Sequence, residues 1–168
     1  MENSALNVFI VDDSKMMVGA LKKYLSTQFG STINVSEFYD GESCIKHIEE
    51  YPNVVILDYF LDTKQSHKKN GLEILKIIKV KSPATEVIML TSNDNVFAKE
   101  EAMQSGASGY IIKKRSSWQQ TQQFIYRSIL RSIRQLKSEF GLKEYFFLFG
   151  VTIAGIAIAL SITLHFGH

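Results

Sequence analysis

Short apolar runs recur through the first two thirds of the chain, and most of them stop at a polar or ionisable residue. LNVFIV at 6–11 ends at Asp12-Asp13, VVIL at 54–57 ends at Asp58, EVIML at 86–90 ends at Thr91, and GYII at 109–112 ends at Lys113. NVSEF at 34–38 reads as a further strand. Between these runs the apolar positions change to three- and four-residue spacing, the period of a helix with one buried face. Residues 15–29 carry Met17, Leu21, Tyr24 and Leu25 at that spacing, and 71–81 carry Leu72, Ile74, Leu75 and Ile78. Helices are also predicted over 41–50 and 96–105. A longer one starts near residue 117, with Ile125, Ile129, Ile133, Leu136 and Phe140 on one stripe. Five strands alternating with five helices predict an α/β fold, a doubly wound parallel sheet covered on both faces. The nearly continuous apolarity of the strands suits burial on both sides better than an antiparallel sheet with one wet face.

After residue 144 the pattern changes character. Residues 145–166, YFFLFGVTIAGIAIALSITLHF, are 22 positions with no formally charged side chain, and twelve of them are Leu, Ile, Phe or Val. As a helix rising about 1.5 Å per residue they span roughly 33 Å, enough to cross the hydrocarbon core of a bilayer. At a few tenths of a kcal/mol each, the large apolar residues favour insertion by about 4–7 kcal/mol, partly offset by Gly, Ser, Thr and His165. A buried helix of a soluble core is the alternative, but the stretch is apolar on every face rather than on one stripe. Arg127, Arg131, Arg134, Lys137 and Lys143 precede it and only Gly167 and His168 follow, so the positive-inside rule leaves the preceding chain in the cytoplasm. The N-terminal MENSALNVFIVDD lacks the basic region of a signal peptide. The expected layout is a folded domain over 1–135, a basic juxtamembrane segment over 136–144 and one transmembrane helix over 145–166. Gly150 with Ala154, and Gly155 with Ala159, would let two such helices touch as a homodimer.

The formal net charge of +2 conceals a split. Residues 1–114 carry 13 Lys and Arg against 15 Asp and Glu, whereas 115–143 carry six basic residues against Glu139 alone. The basic stretch suits anionic membrane lipid, and no DNA-reading segment follows the sheet, so nucleic acid is not an expected partner. The single cysteine, Cys44, excludes a disulfide framework and a cysteine-built metal site.

The candidate chemistry lies at the strand ends. In open doubly wound sheets, ligands bind beyond the carboxyl ends of the strands, where neighbouring crossovers diverge. With strand order 2-1-3-4-5, that rule gathers Asp12, Asp13 and Asp58 into one acidic cleft beside Thr91 and Lys113. Three such carboxylates repel one another and so either keep a proton or bind a cation, and an oxygen-only ligand set suits Mg²⁺ or Mn²⁺. A carboxylate beside a divalent cation, a lysine and a hydroxyl is a suitable acceptor for a phosphoryl group.

Five segments, FIVDDS, VVILDYFL, NGLEIL, VIMLTSND and SGASGYIIKK, are similar in order and spacing to the response-regulator receiver family of bacterial two-component signalling. The resemblance covers about residues 6–135 and implies a flavodoxin-like five-stranded sheet of order 2-1-3-4-5. It implies Asp58 as phosphoacceptor, with Asp12, Asp13, Asp58 and the backbone carbonyl of Phe60 holding Mg²⁺. It further implies Thr91, Ser92 and Lys113 as phosphoryl-binding groups, Tyr110 as an aromatic switch, and Phe60 and Asn93 as positions that tune the lifetime of the phosphorylated state. The implied partner is a histidine kinase or a phosphotransfer protein; together with the apolar tail and its basic flank, the expected location is the bacterial inner membrane with the domain facing the cytoplasm.

Three departures stand out. About five extra residues fall within DTKQSHKK, where Lys64, Lys68 and Lys69 form either a solvated loop or a donor-docking one, and Asp62 stands where the family often has proline. Lys114 replaces a proline that often follows a cis bond, and a cis Lys113–Lys114 bond would cost about 2.5–4 kcal/mol, so either strain persists or the loop differs. His47, His67, Trp118 and the Gln-rich 119–123 are read as packing or solvated positions, and a helix cap would explain one of the paired aspartates.

The expected function is a membrane-tethered single-domain response regulator, not an enzyme beyond its own phosphoryl transfer and hydrolysis. Its output is an altered contact with a downstream protein, or a phosphate sink. The alternatives are a non-phosphorylated scaffold of the same fold and, further off, an aspartate-nucleophile phosphatase, which would need an Asp-x-Asp that Asp12-Asp13-Ser14 does not supply.

Overall fold

The apolar runs are strands, and all of them pair in parallel. β1 (Leu6–Val11), β2 (Ile33–Phe38), β3 (Val54–Asp58), β4 (Glu86–Thr91) and β5 (Gly109–Ile112) form one sheet in the order β2-β1-β3-β4-β5. This computed structural model describes residues 5–61, 69–92, 94–114, 117–128 and 130–131. The chain divides into two compact units, Met1–Ser128 and Ile129–His168, and the sheet belongs to the first. The boundary expected at 135 and the segments 136–144 and 145–166 lie outside the described residues. Among the described residues no helix is long and apolar enough to cross a membrane.

The helices α1 (Lys15–Phe29), α2 (Gly41–Lys46), α3 (Gly71–Lys81) and α4 (Val96–Gln104) connect the strands, and residues 117–128 are helical as α5. Alternation along each strand splits the apolar side chains between two layers. Phe9, Val11, Val55, Leu57, Val87 and Met89 pack with Leu72, Ile74, Leu75 and Ile78 of α3 and with Ala102 of α4. On the α1 side, Tyr24 donates its hydroxyl proton to Gln122 Oε1 at 2.6 Å and its ring meets Trp118 at 5.4 Å, which ties α1 to α5. Every residue of β3 is buried, as a central parallel strand requires.

One predicted helix is shorter than its periodicity suggested. The segment 41–50 is helical only to Lys46, then tightens into a 3-10 turn over Ile48–Glu50 and ends at Tyr51 in the left-handed region with φ 51°. Pro52 supplies the reason, because its ring disfavours a right-handed helical conformation at the residue before it.

The four connections that leave the carboxyl edge of the sheet toward α1, α2, α3 and α4 each end in a polar cap. Ser14, Asp40, Asn70 and Asn95 accept backbone N–H groups of the first helical turns, and Asn70 with Glu73 closes a reciprocal capping box. Ser14, not either aspartate, caps α1, which leaves both acidic side chains available to the cleft. Strand register then sets these ends level. Val11 lies opposite Leu57, Asp58 opposite Leu90, and Thr91 opposite Ile112.

Candidate functional site

The level strand ends bring Asp12, Asp13, Asp58 and Lys113 together, with Thr91 fully buried at the end of β4. Each is fixed by its local backbone. The N–H of Asp12 donates to the carbonyl of Phe38 on β2 at 3.2 Å, and its Oδ1 accepts the N–H of Ser14 at 2.9 Å, a tight turn that aims the carboxylate across the sheet edge. Asp13, the next residue, is exposed.

Beyond Asp58 the chain is clamped from two sides. Tyr59 donates its N–H to the carbonyl of Leu90 at 2.7 Å, and its own carbonyl accepts the N–H of Gly71 at 3.1 Å. The N–H of Phe60 points back to Asp58 Oδ1 at 3.3 Å. Gly71 is required by this arrangement, since a Cβ there would collide with the carbonyl oxygen of Asp58 and the α-carbon of Tyr59.

Lys113 follows β5, and its N–H donates to the carbonyl of Thr91 at 2.7 Å. Its Nζ reaches Asp12 Oδ2 at 2.8 Å and Asp58 Oδ2 at 2.9 Å. All described peptide bonds are trans, so Lys114 is accommodated by a loop without a cis bond. Burial pushes the Asp58 carboxyl above its ordinary range and the negative charge of Asp12 adds to this, while the Lys113 ammonium and the Phe60 N–H pull the other way. Burial alone would lower the Lys113 pKa, but hydrogen bonds and charge from Asp12 and Asp58 outweigh it and hold the ammonium above its usual value.

One oxygen from each of Asp12, Asp13 and Asp58 lies within 4.8 Å of the other two. This is an all-oxygen donor set, two members buried and one open to water. Such a set fits a hard cation that keeps part of its hydration shell, as Mg²⁺ does.

The remaining expected residues are placed as follows. Phe60 is 49% exposed, and Ser92 is exposed beside Thr91. Tyr110 is partly buried with its ring 6.4 Å from that of Tyr59, and its hydroxyl oxygen is buried with no hydrogen-bond partner among the described residues. Asn93 lies outside the described residues, as do Asp62, Lys64, His67 and Lys68. Lys69 closes the inserted loop by donating its N–H to Glu42 Oε1 at 2.9 Å. Cys44 is fully buried with its thiol pushed up to about 12 by desolvation and by Asp40, an inert core position. His47 is exposed, with Nδ1 2.9 Å from the Ser43 carbonyl.

Two residues of the site escaped sequence reading. Gly71 stands in the sequence as a helix start within NGLEIL, and its close approach to the Asp58 carbonyl is visible only in the fold. Tyr59, next to Asp58, is not disclosed by the sequence, because an aromatic residue in an apolar run does not show where its ring points.

Comparison with known proteins agrees with this geometry. The family model described as response regulator receiver domain matches residues 8–123. The chain is similar to a protein-glutamate methylesterase/protein-glutamine glutaminase of Thermotoga maritima, 33% identical over 138 residues that cover 80% of this chain and 38% of that one. It is also similar to the response regulator protein VraR of Staphylococcus epidermidis, 32% identical over 114 residues, 67% of this chain and 52% of that one. The chain thus spans between about two fifths and half of these relatives' length. Among solved structures, the response regulator domain of Thermotoga maritima CheB matches with TM-score 0.59 and 27% identity over 78% of this chain and 98% of that one. A CheY-like receiver from Methanospirillum hungatei shares the fold with TM-score 0.68 at 20% identity, over 79% and 99% of the two chains. A parallel sheet of order β2-β1-β3-β4-β5, an acidic cluster at its carboxyl edge and a family match over 8–123 have one common account: the chain belongs to the response regulator receiver domain family.

Proposed function

We propose that this chain is a phosphorylatable receiver whose acceptor is Asp58. The observation that carries the reading is the placement of Lys113 Nζ 2.9 Å from Asp58 Oδ2, inside a cluster of three carboxylates. Receiver domains bind Mg²⁺ at an acidic pocket and take phosphoryl groups from histidine kinases or phosphotransfer proteins, and the residues present here fit both roles. Asp12, Asp13, Asp58 and the backbone carbonyl of Phe60 would hold Mg²⁺, which when bound neutralises charge on the transferring phosphoryl oxygens.

The chain's own residues do the rest. A carboxylate oxygen of Asp58 forms the new bond to phosphorus while the bond from phosphorus to the donor's nitrogen or acyl oxygen breaks. Lys113 stays ionised throughout and turns from Asp58 to the incoming phosphoryl oxygens, and Thr91 with Ser92 offers hydroxyl donors from the neighbouring strand end. Phe60, half exposed beside the acceptor, screens the acyl phosphate from hydrolytic water. The output is a changed contact with a downstream protein or drainage of phosphate from a kinase, with no enzymatic turnover of other substrates.

Membrane tethering belongs to the same proposal and rests on the uncharged stretch 145–166 and the basic residues before it. On this reading the receiver stands at the cytoplasmic face of the inner membrane, with anionic lipid as a neighbour and a homodimer contact available in the span.

The test incubates the full chain with Mg²⁺ and a small acyl-phosphate donor and records intact mass beside an Asp58→Ala control. One added phosphoryl group, dependent on Mg²⁺ and absent from the control, is the expected result. No gain with either that donor or a phosphorylated histidine kinase would put a non-phosphorylated scaffold in its place. Flotation of the full chain with vesicles, lost on truncation at residue 141, tests the tether separately.

A further inference from the structure

Tyr110 carries an anomaly. Its hydroxyl oxygen is buried and, among the described residues, has no hydrogen-bond partner, an arrangement that native proteins seldom keep without a reason. The inward position of the side chain is therefore opposed by desolvation of its own hydroxyl, and some other contact must hold it there.

Tyr59 makes such a contact. Its ring meets Tyr110 at 6.4 Å with an interplanar angle of 70°, and meets Phe60 at 4.9 Å and 67°. Both are edge-to-face arrangements, in which the positive rim of one ring faces the negative surface of the other. The backbone of Tyr59 has little freedom, because its N–H is bound to Leu90 and its carbonyl to Gly71. Both tyrosines pack against the same buried cluster. Burial, the carboxylate of Glu101 and the Tyr110 phenol all raise the Tyr59 pKa, and Lys76 of α3 pairs with Glu101 of α4 at 3.3 Å. Tyr59 thus stands where α3, α4 and β5 meet, one residue from the phosphoacceptor.

We infer that Tyr59 is a positioning residue for Tyr110, its ring forming the wall that sets how much of the time Tyr110 is turned inward before any phosphoryl group arrives. Two consequences connect this to the site. The same ring touches Phe60, whose N–H is bound to Asp58 Oδ1, so a change at the acceptor reaches Tyr110 through two rings. The inward fraction in the resting protein also sets how far phosphorylation has left to shift it, a consequence that rests on the acceptor role proposed for Asp58.

The test reads the hydroxyl end of Tyr110 by nitration with tetranitromethane in the full chain, mapped by peptide mass spectrometry. Tyr51, 71% exposed, serves as internal reference. Tyr24, held by Gln122 on the opposite face of the sheet, reports folding, and a variant is scored only with Tyr24 protected as in the parent. Loss of an edge-to-face pair corresponds to roughly a 2- to 12-fold change in population. In Tyr59→Leu the nitration of Tyr110 relative to Tyr51 is expected to rise within that range, and in Tyr59→Phe, which keeps the ring, to stay within about twofold of the parent. If Tyr59→Leu fails the folding control, Tyr59→Met replaces it with the same expectation. An unchanged ratio in the folded aliphatic variant overturns the inference, and so does a rise in Tyr59→Phe as large as in that variant. Phosphoryl uptake is measured separately by intact mass. A shifted ratio without uptake keeps Tyr59 as the wall while removing the acceptor role, and uptake without a shifted ratio does the reverse.

Discussion

The α-carbon of Gly71 lies against the carbonyl oxygen of Asp58, so closely that no side chain can be added without moving one of them. The start of α3 and the end of β3 are therefore a single mechanical unit, joined also by the Gly71 N–H to the carbonyl of Tyr59. Gly71→Ala is expected to destabilise the fold by about 1–3 kcal/mol, the usual range for an overpacked buried position. It is also expected to slow phosphoryl uptake, because the Asp58–Phe60 turn must shift. A urea melt and the initial rate of mass gain check the two effects. An alanine variant with parental stability and rate would show the contact to be dispensable.

Asp58 carries a stability cost with a definite pH signature. Its folded pKa is raised above the ordinary 3.8, chiefly by burial. The folded state therefore holds its proton more tightly than the unfolded state does. The resulting stabilisation is complete below the unfolded pKa and is lost as pH rises through the folded one. At neutral pH, without divalent cation, Asp58→Asn is expected to melt higher than the parent, by roughly 2–4 °C for each kcal/mol recovered in a chain of this size. The gap should close as pH falls toward the ordinary carboxyl range. Added Mg²⁺ should raise the melting temperature of the parent more than that of the variant.

Lys113 acts as the counter-charge for two carboxylates at once, with its side chain only 20% exposed. Lys113→Ala leaves Asp12 and Asp58 facing each other, and a loss of about 1–3 kcal/mol is expected at this partly open site. Unlike the loss in Gly71→Ala, this one should be partly restored by millimolar Mg²⁺, which replaces the missing positive charge. Phosphoryl uptake should stay low even with the cation present. Paired denaturant melts with and without Mg²⁺ separate these outcomes.

Phe60→Asn replaces a half-exposed aromatic ring next to the acceptor by a small polar group. The half-life of the phosphorylated state is expected to shorten several-fold, with little change in melting temperature because the ring is half exposed. The decay is followed by intact mass after donor removal, and an unchanged half-life would take Phe60 out of lifetime control.

The sheet and its acidic edge were legible because both depend on short-range pattern. Val54 to Leu57 are apolar without alternation, which marks a strand buried on both faces, and the abrupt change at Asp58 marks its carboxyl end. The break in α2 after Lys46 was less legible, since Ile45 and Ile48 continue a helical spacing and only Pro52 hints at the tightening. Relationships across the fold were not legible at all. Nothing local indicates that Glu42 accepts the N–H of Lys69, that Lys113 bridges two carboxylates rather than one, or that the ring of Tyr59 turns toward Tyr110. These depend on where α2, α3 and β5 come to rest, which is set by packing among residues far apart in the chain.

Asp12 and Lys113 are 101 residues apart, and their pairing spans nearly the whole sheet-forming sequence. A ribosome adding about 5–20 residues per second takes roughly 5–20 s to make the chain between them. For the stretch from Asp58 to Lys113, roughly 3–11 s of it, Asp12, Asp13 and Asp58 have all been synthesised while their counter-charge has not. β5, an edge strand and the last strand among the described residues, must dock before Lys113 arrives. With Asp58 as the proposed acceptor, competence to take up a phosphoryl group is therefore expected only after residue 113 has been made. On that proposal, a chain stalled or clipped before residue 113 is expected to take up no phosphoryl group even with every carboxylate in place.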